Sequence, residues 1–199
     1  MEDKEEEFGK PRNFEEDLRE SNNPELRNSW NIIFRRIFGE KIEINWKDDC
    51  VSQMDFGSDV LIKTKEGRKY SIDVKTRRNE YFGFENWVIE IIHHIYSNET
   101  KEEKIKTKEG WLYCSTSNFI FYGTLNKQKT KIIELCGFSL SPFKDEEFKS
   151  EMGKLRNKWA TTKFSNGQFQ LTLNKQVDLQ FLKDNANKFW YWKDETQTI

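Results

Sequence analysis

Apolar positions recur along this chain with two different periods. Asn23-Pro24-Glu25 opens the first helical stretch: Asn23 can cap it, and Pro24 at the first helical position lacks only an N–H that would be unpaired anyway. Leu26, Trp30, Ile33 and Ile37 follow at helical spacing, and Gly39 offers a stop. Ile42–Trp46 alternates with a period of two and predicts a strand. Asp59–Thr64 and Lys69–Thr76 flank the turn Lys65-Glu66-Gly67-Arg68, which predicts a β-hairpin. Trp87–Ile92 alternates again; a strand is predicted, with a helix continuing to His94 as the alternative. Residues 98–110 carry charge without a core-facing pattern and are expected to be a loop. Phe119–Leu125 and Lys131–Cys136 predict a further strand pair, and Phe148, Met152, Leu155 and Trp159 predict one face of a second helix. Phe169, Leu171 and Leu173 alternate in a late strand, and Leu179 and Leu182 begin a short final helix. This order predicts an α/β fold, with helices packed on one mixed central sheet.

At 199 residues the chain suits one domain, and its 16 Phe, 7 Trp and 6 Tyr offset a hydrophobic share of only 35%. The net charge of −1 hides an asymmetry: residues 1–20 hold nine acids and four bases, leaving 25 acids against 29 bases in the remainder. Residues 1–13 are expected to be a flexible acidic tail. Residues 14–199 are expected to be a single domain, with a core over about 14–136 and a C-terminal extension over 137–199. Cys50, Cys114 and Cys136 show no CxxC spacing, which argues for a reducing compartment and against a disulfide framework. No apolar run approaches ~20 residues, and the acidic start does not fit a signal peptide. A cytoplasmic protein without a membrane partner is the expectation.

The hairpin at Asp59–Thr76 carries the most chemical information. A turn centred near Glu66 pairs residues whose numbers sum to about 132, which sets Asp59 opposite Asp73. Val60, Ile62, Tyr70, Ile72 and Val74 then share one face for the core, while Asp59, Leu61, Ser71, Asp73 and Lys75 share the other. Opposed carboxylates ~5 Å apart repel by about 3 kcal/mol at an effective dielectric of ~20. A divalent cation between them would offset that cost, and Lys75 adds a positive charge nearby. Two carboxylates and a lysine suit metal-dependent phosphodiester hydrolysis. The carboxylates hold Mg²⁺ (or Mn²⁺) with open water positions, and the lysine positions or deprotonates the attacking water. The Asp-x-Lys tripeptide taken alone is common and favours an ordinary solvated face; the opposed carboxylates and the sorted faces favour the catalytic reading.

Gly57-Ser58-Asp59-Val60-Leu61-Ile62, followed by Ser71-Ile72-Asp73-Val74-Lys75-Thr76, resembles the PD-(D/E)XK nuclease superfamily. The resemblance implies a restriction-endonuclease-like core over about residues 14–136, Asp59 and Asp73 as catalytic metal ligands, and Lys75 as the catalytic lysine. Glu25 on the upstream helix is implied as a further metal ligand, with Glu15, Glu16 and Glu20 as competitors. Ser58 stands where the family pattern has proline, and Asp55 is a second candidate for the first acid.

Glu90, mid-strand between Ile89 and Ile91, is a candidate added metal ligand or a solvated glutamate. His93 and His94 diverge on either a helix or a strand, which does not suit one metal. Lys63, Lys65, Arg68, Lys69, Lys75, Arg77 and Arg78 form a basic patch beside the hairpin; Lys69, Arg77 and Arg78 are the candidates for holding a phosphate backbone. Phe189-Trp190-Tyr191-Trp192 either stacks on bases or docks as a core plug, docking being favoured. The expected function is a Mg²⁺-dependent endonuclease acting on DNA, with RNA and a homodimer left open. The alternative is a nucleic-acid-binding module of the same fold that has lost turnover.

Overall fold

The computed structural model describes residues 12–13, 23–47, 58–98, 100, 103–164 and 166–197. Glu15, Glu16, Glu20, Cys50 and Asp55 lie outside them, as does nearly all of the expected acidic tail. The tail's last two residues form strand β1 (Arg12–Asn13), and helix α1 spans Pro24–Phe38. Strands β2 (Glu43–Trp46), β3 (Val60–Lys63), β4 (Lys69–Arg77), β5 (Asn86–Tyr96) and β6 (Lys104–Glu109) follow, then a one-turn helix α2 (Trp111–Cys114). The chain continues through β7 (Phe119–Leu125), β8 (Ile132–Ser139), α3 (Glu146–Lys154), β9 (Asn157–Lys163), β10 (Phe169–Asp178), α4 (Leu179–Asn185) and β11 (Phe189–Lys193).

Helix α1 begins and ends as its residues predict. Asn23 accepts the Glu25 N–H at 2.9 Å, and Gly39 ends the helix with φ of 105°, a conformation that side-chain-bearing residues rarely adopt. The fold is α/β with a mixed sheet, but there are two sheets where one was expected. One has six strands in the order β2-β3-β4-β7-β8-β11, with β4 and β7 parallel and the other pairs antiparallel. The other has five, in the order β1-β9-β10-β5-β6.

The larger sheet is covered on both faces, and period two sorts its side chains. Trp30 and Phe34 of α1 pack on Val60, Ile62, Ile72, Phe119 and Phe121. On the reverse face, Ile120, Tyr122 and Phe138 meet Trp87, Ile89 and Val177 of the smaller sheet. Strands β7 and β8 are buried along their whole length, which explains their nearly continuous apolar run.

Several expectations are corrected. Residues 104–109 are not loop but the exposed edge strand β6, held by backbone pairing with β5 and lacking buried side chains to mark it. Trp159 is not on the second helix: α3 stops at Lys154, and Trp159 pairs with Leu173 inside the seven-residue β9–β10 ladder. The β-branched Thr161 and Thr162 favour that ladder over a longer helix. Within residues 137–199, β9 and β10 build the second sheet and β11 completes the first. The aromatic quartet is strand β11: Trp190 stacks on Phe121 at 5.3 Å, while Phe189 and Tyr191 pack on the core between the sheets. Docking is therefore the correct reading for three of the four, and Trp192 is the exposed one. No described helix is long and apolar enough to cross a membrane.

Candidate active site

Strands β3 and β4 pair in the register that the turn predicts, Val60 with Ile72, Leu61 with Ser71 and Ile62 with Tyr70. Val60, Ile62 and Ile72 are buried beneath α1. Alternation sends Asp73 and Lys75 to the opposite face, where β7 sets Ile120 beside Asp73 and Tyr122 beside Lys75. Asp59 precedes β3 by one residue. Its N–H donates to the Ile72 carbonyl at 2.9 Å, and its Oδ2 accepts the Val74 N–H at 2.8 Å, which fixes its carboxylate over β4. Lys75 Nζ lies 2.8 Å from Asp73 Oδ1. Asp59, Asp73 and Lys75 are thus together, with Asp73 only 6% exposed and the lysine side chain partly open to solvent.

Charge is concentrated and under tension here. Burial raises the Asp73 carboxyl to about 7, the Asp59 carboxylate adds to the effect, and Lys75 only partly opposes it. The Asp73 carboxyl therefore keeps its proton toward neutral pH, beside the Asp59 carboxylate and the Lys75 ammonium. Burial works against the Lys75 ammonium as well, but Asp73 and then Asp59 overcome it and hold Lys75 above the ordinary lysine range. Burial, then Asp73, raises the Tyr122 phenol, whose hydroxyl donates to the Val88 carbonyl at 2.9 Å and ties the two sheets together beside Lys75.

Glu90 belongs to this electrostatic neighbourhood, since its charge also favours the Lys75 ammonium. The pairing of β5 with β10 skips Ile91, matching Glu90 to Asn174 and Ile92 to Leu173. That irregularity lets Glu90 Oε1 meet His93 Nδ1 at 3.1 Å, although regular alternation would separate positions three apart. Glu90 also accepts the Trp111 N–H at 3.3 Å. The approach depends on Gly110: a Cβ there would lie 2.6 Å from the Glu90 carbonyl carbon and oxygen.

Other sequence candidates lie elsewhere or are engaged. Glu25 is exposed in the first turn of α1, which packs on the other face of the sheet from Asp73. The charges acting most strongly on Lys75 are Asp73, Asp59 and Glu90, without Glu25. Arg77 is engaged within the protein. Its guanidinium pairs with buried Glu134 at 2.5 Å, donates to Thr124 at 2.6 Å and to the Phe84 and Asn86 carbonyls, and lies 3.7 Å over Trp87. Lys69 and Arg78 are exposed. His94 bonds Thr107 at 2.9 Å and turns away from His93. Cys136 is buried, whereas Cys114 is exposed. Tyr122 was missed because no local motif reports the register of β4 against β7, strands 50 residues apart at their starts.

Among the described residues, no three His, Cys, Asp or Glu side chains are grouped to hold a metal ion on their own. Of the expected ligands, Asp59 and Asp73 are together, Glu25 lies on α1 at the other face of the sheet, and Glu90 is hydrogen-bonded to His93 and Trp111. Asp59 and Asp73 still fit a hard divalent cation: they are neighbouring oxygen donors, and a cation would offset the Asp59 charge that helps hold Asp73 protonated. Comparison with protein-family models, with curated proteins and with solved structures gives no match.

Proposed function

We propose that the protein is a Mg²⁺- or Mn²⁺-dependent nuclease with a restriction-endonuclease-like core that hydrolyses phosphodiester bonds in DNA. The observation that carries this reading is buried Asp73, caught between Asp59 and Lys75 with its carboxyl raised to about 7. Such a perturbed acid beside a lysine at a partly open site is characteristic of catalytic positions. The chain order supports the reading too: α1, then β2, β3 and β4, then β7 returning parallel to β4.

A divalent cation at Asp59 and Asp73 supplies Lewis acidity and a more acidic bound water. Asp73 must release its proton for both carboxylates to ligate, so pH near neutrality gates the site. Lys75, held above the ordinary lysine range, stays an ammonium. It therefore acts by donating hydrogen bonds to water or a phosphate oxygen and by countering developing negative charge, rather than as a general base. Glu90 adds a negative charge that keeps Lys75 protonated.

The test is incubation with supercoiled, linear, branched and single-stranded DNA in Mg²⁺, Mn²⁺ or EDTA. Wild type should cut only with metal, and Lys75→Ala should lose cleavage while still binding DNA. If Lys75→Ala cuts as fast as wild type, the catalytic assignment falls. If wild type binds DNA and never cuts it, the protein is a binding module.

A further inference from the structure

At one end of the six-stranded sheet lies a cavity of about 320 Å³, where the segments preceding β7 and β11 and following β8 meet the start of β4. No Asp or Glu lines it. Lys144 and Lys188 do, and neither has a carboxylate partner among the described residues. The Lys188 ammonium lies 5.9 Å over Tyr70 and 5.8 Å over Phe119, and Lys144 donates to the Ser115 carbonyl. An ammonium has three donors, so both lysines retain hydrogen bonds to give. Asn118 uses its side-chain oxygen on Ser71 at 2.8 and 3.1 Å, leaving its amide N–H groups as donors. Ser141 accepts from Asn187 at 3.4 Å and keeps a hydroxyl proton. Donors thus predominate among the wall's polar groups, beside two aromatic rings.

We infer that this cavity is a phosphate subsite that anchors the nucleic-acid strand away from the bond being cut. The inference rests on the proposed nuclease reading for the identity of the ligand. Tyr70 and Asp73 are three residues apart on β4, about 10 Å at the usual strand rise, and leave opposite faces of the sheet, so a strand joining the two sites would pass around the end of the sheet. That path is at least about three stacked nucleotides along one strand. Phosphate here would be neutralised by Lys144 and Lys188, while Asp73 and Lys75 address a different phosphate. Free inorganic phosphate has the same chemistry, and the two sources are separated by experiment.

Binding of fluorescent single-stranded and duplex DNA is measured in EDTA at several salt concentrations, so that no turnover intervenes. The Lys144→Gln/Lys188→Gln double variant should bind about tenfold or more weakly. Its plot of log affinity against log salt should lose about one and a half to two units of slope. The exposed pair Lys41→Gln/Lys127→Gln serves as the control for general charge loss. Inorganic phosphate should compete with DNA on wild type more effectively than on the double variant. A double variant matching the control in affinity and slope overturns the subsite, as does a wild type that binds phosphate there but no DNA. Cleavage by wild type in Mg²⁺ is scored separately. Cutting unaffected by the double substitution removes the subsite alone, whereas pocket-dependent binding without any cutting keeps the subsite and removes the nuclease.

Discussion

Replacing Asp73 by Asn separates the cost of its charge from the rest of the fold. An unfolded aspartate titrates near 3.8 and folded Asp73 near 7, so between those values the folded state holds a proton that the unfolded state has released. Stability from this group is therefore fully present below the unfolded value and is lost as pH rises through the folded one. The full difference is on the order of 4 kcal/mol, with more than half lost between about pH 5 and pH 8. Asparagine has the shape of the neutral acid and does not titrate. Asp73→Asn should match wild type to within about 1 kcal/mol at pH 5 and exceed it by up to about 3 kcal/mol at pH 8. In melting temperature that is up to about 10 °C for a chain of this size. The loss of the Lys75 ion pair trims the gain but not the change in slope, because Asp59 remains beside the ammonium. Urea unfolding of both proteins in EDTA, at pH steps across this range, reads the effect directly. Parallel pH dependences for wild type and variant would refute the buried, charge-strained state assigned to Asp73.

The remaining predictions address the metal and the buried network. Mg²⁺ or Mn²⁺ should raise the melting temperature of wild type, by about 2.7 kcal/mol of stability at a hundredfold excess over the dissociation constant. The rise should be larger at pH 8 than at pH 6 because the cation displaces the Asp73 proton, and it should vanish in Asp73→Asn; a pH-independent response would contradict a metal site that includes the raised Asp73 carboxyl. Arg77→Ala should destabilise by about 3–5 kcal/mol in denaturant unfolding, because buried Glu134 is left without its partner. If instead Arg77→Ala folds normally and flattens the salt dependence of DNA binding, the guanidinium serves the ligand and not the core.

Local pattern alone determined the hairpin. Its register and its division into a core face and a charged face follow from turn position and period two, and both hold in the structure at Val60–Ile72 and Ile62–Tyr70. The cap and stop of α1 at Asn23 and Gly39 were equally legible, since capping is an interaction among near neighbours. Only tertiary structure decided the rest. Strand β6 has no buried side chain to announce it, and Trp159 fitted a helical stripe until the β9–β10 ladder claimed it. Arg77 looked like a phosphate ligand in a run of bases, because its partners Thr124 and Glu134 are 47 and 57 residues away. The same distance in sequence hid Tyr122 and the Lys144–Lys188 cavity. Period and capping are written over a few residues, whereas burial and charge pairing depend on which distant strands become neighbours, and that is settled only when the two sheets close on each other.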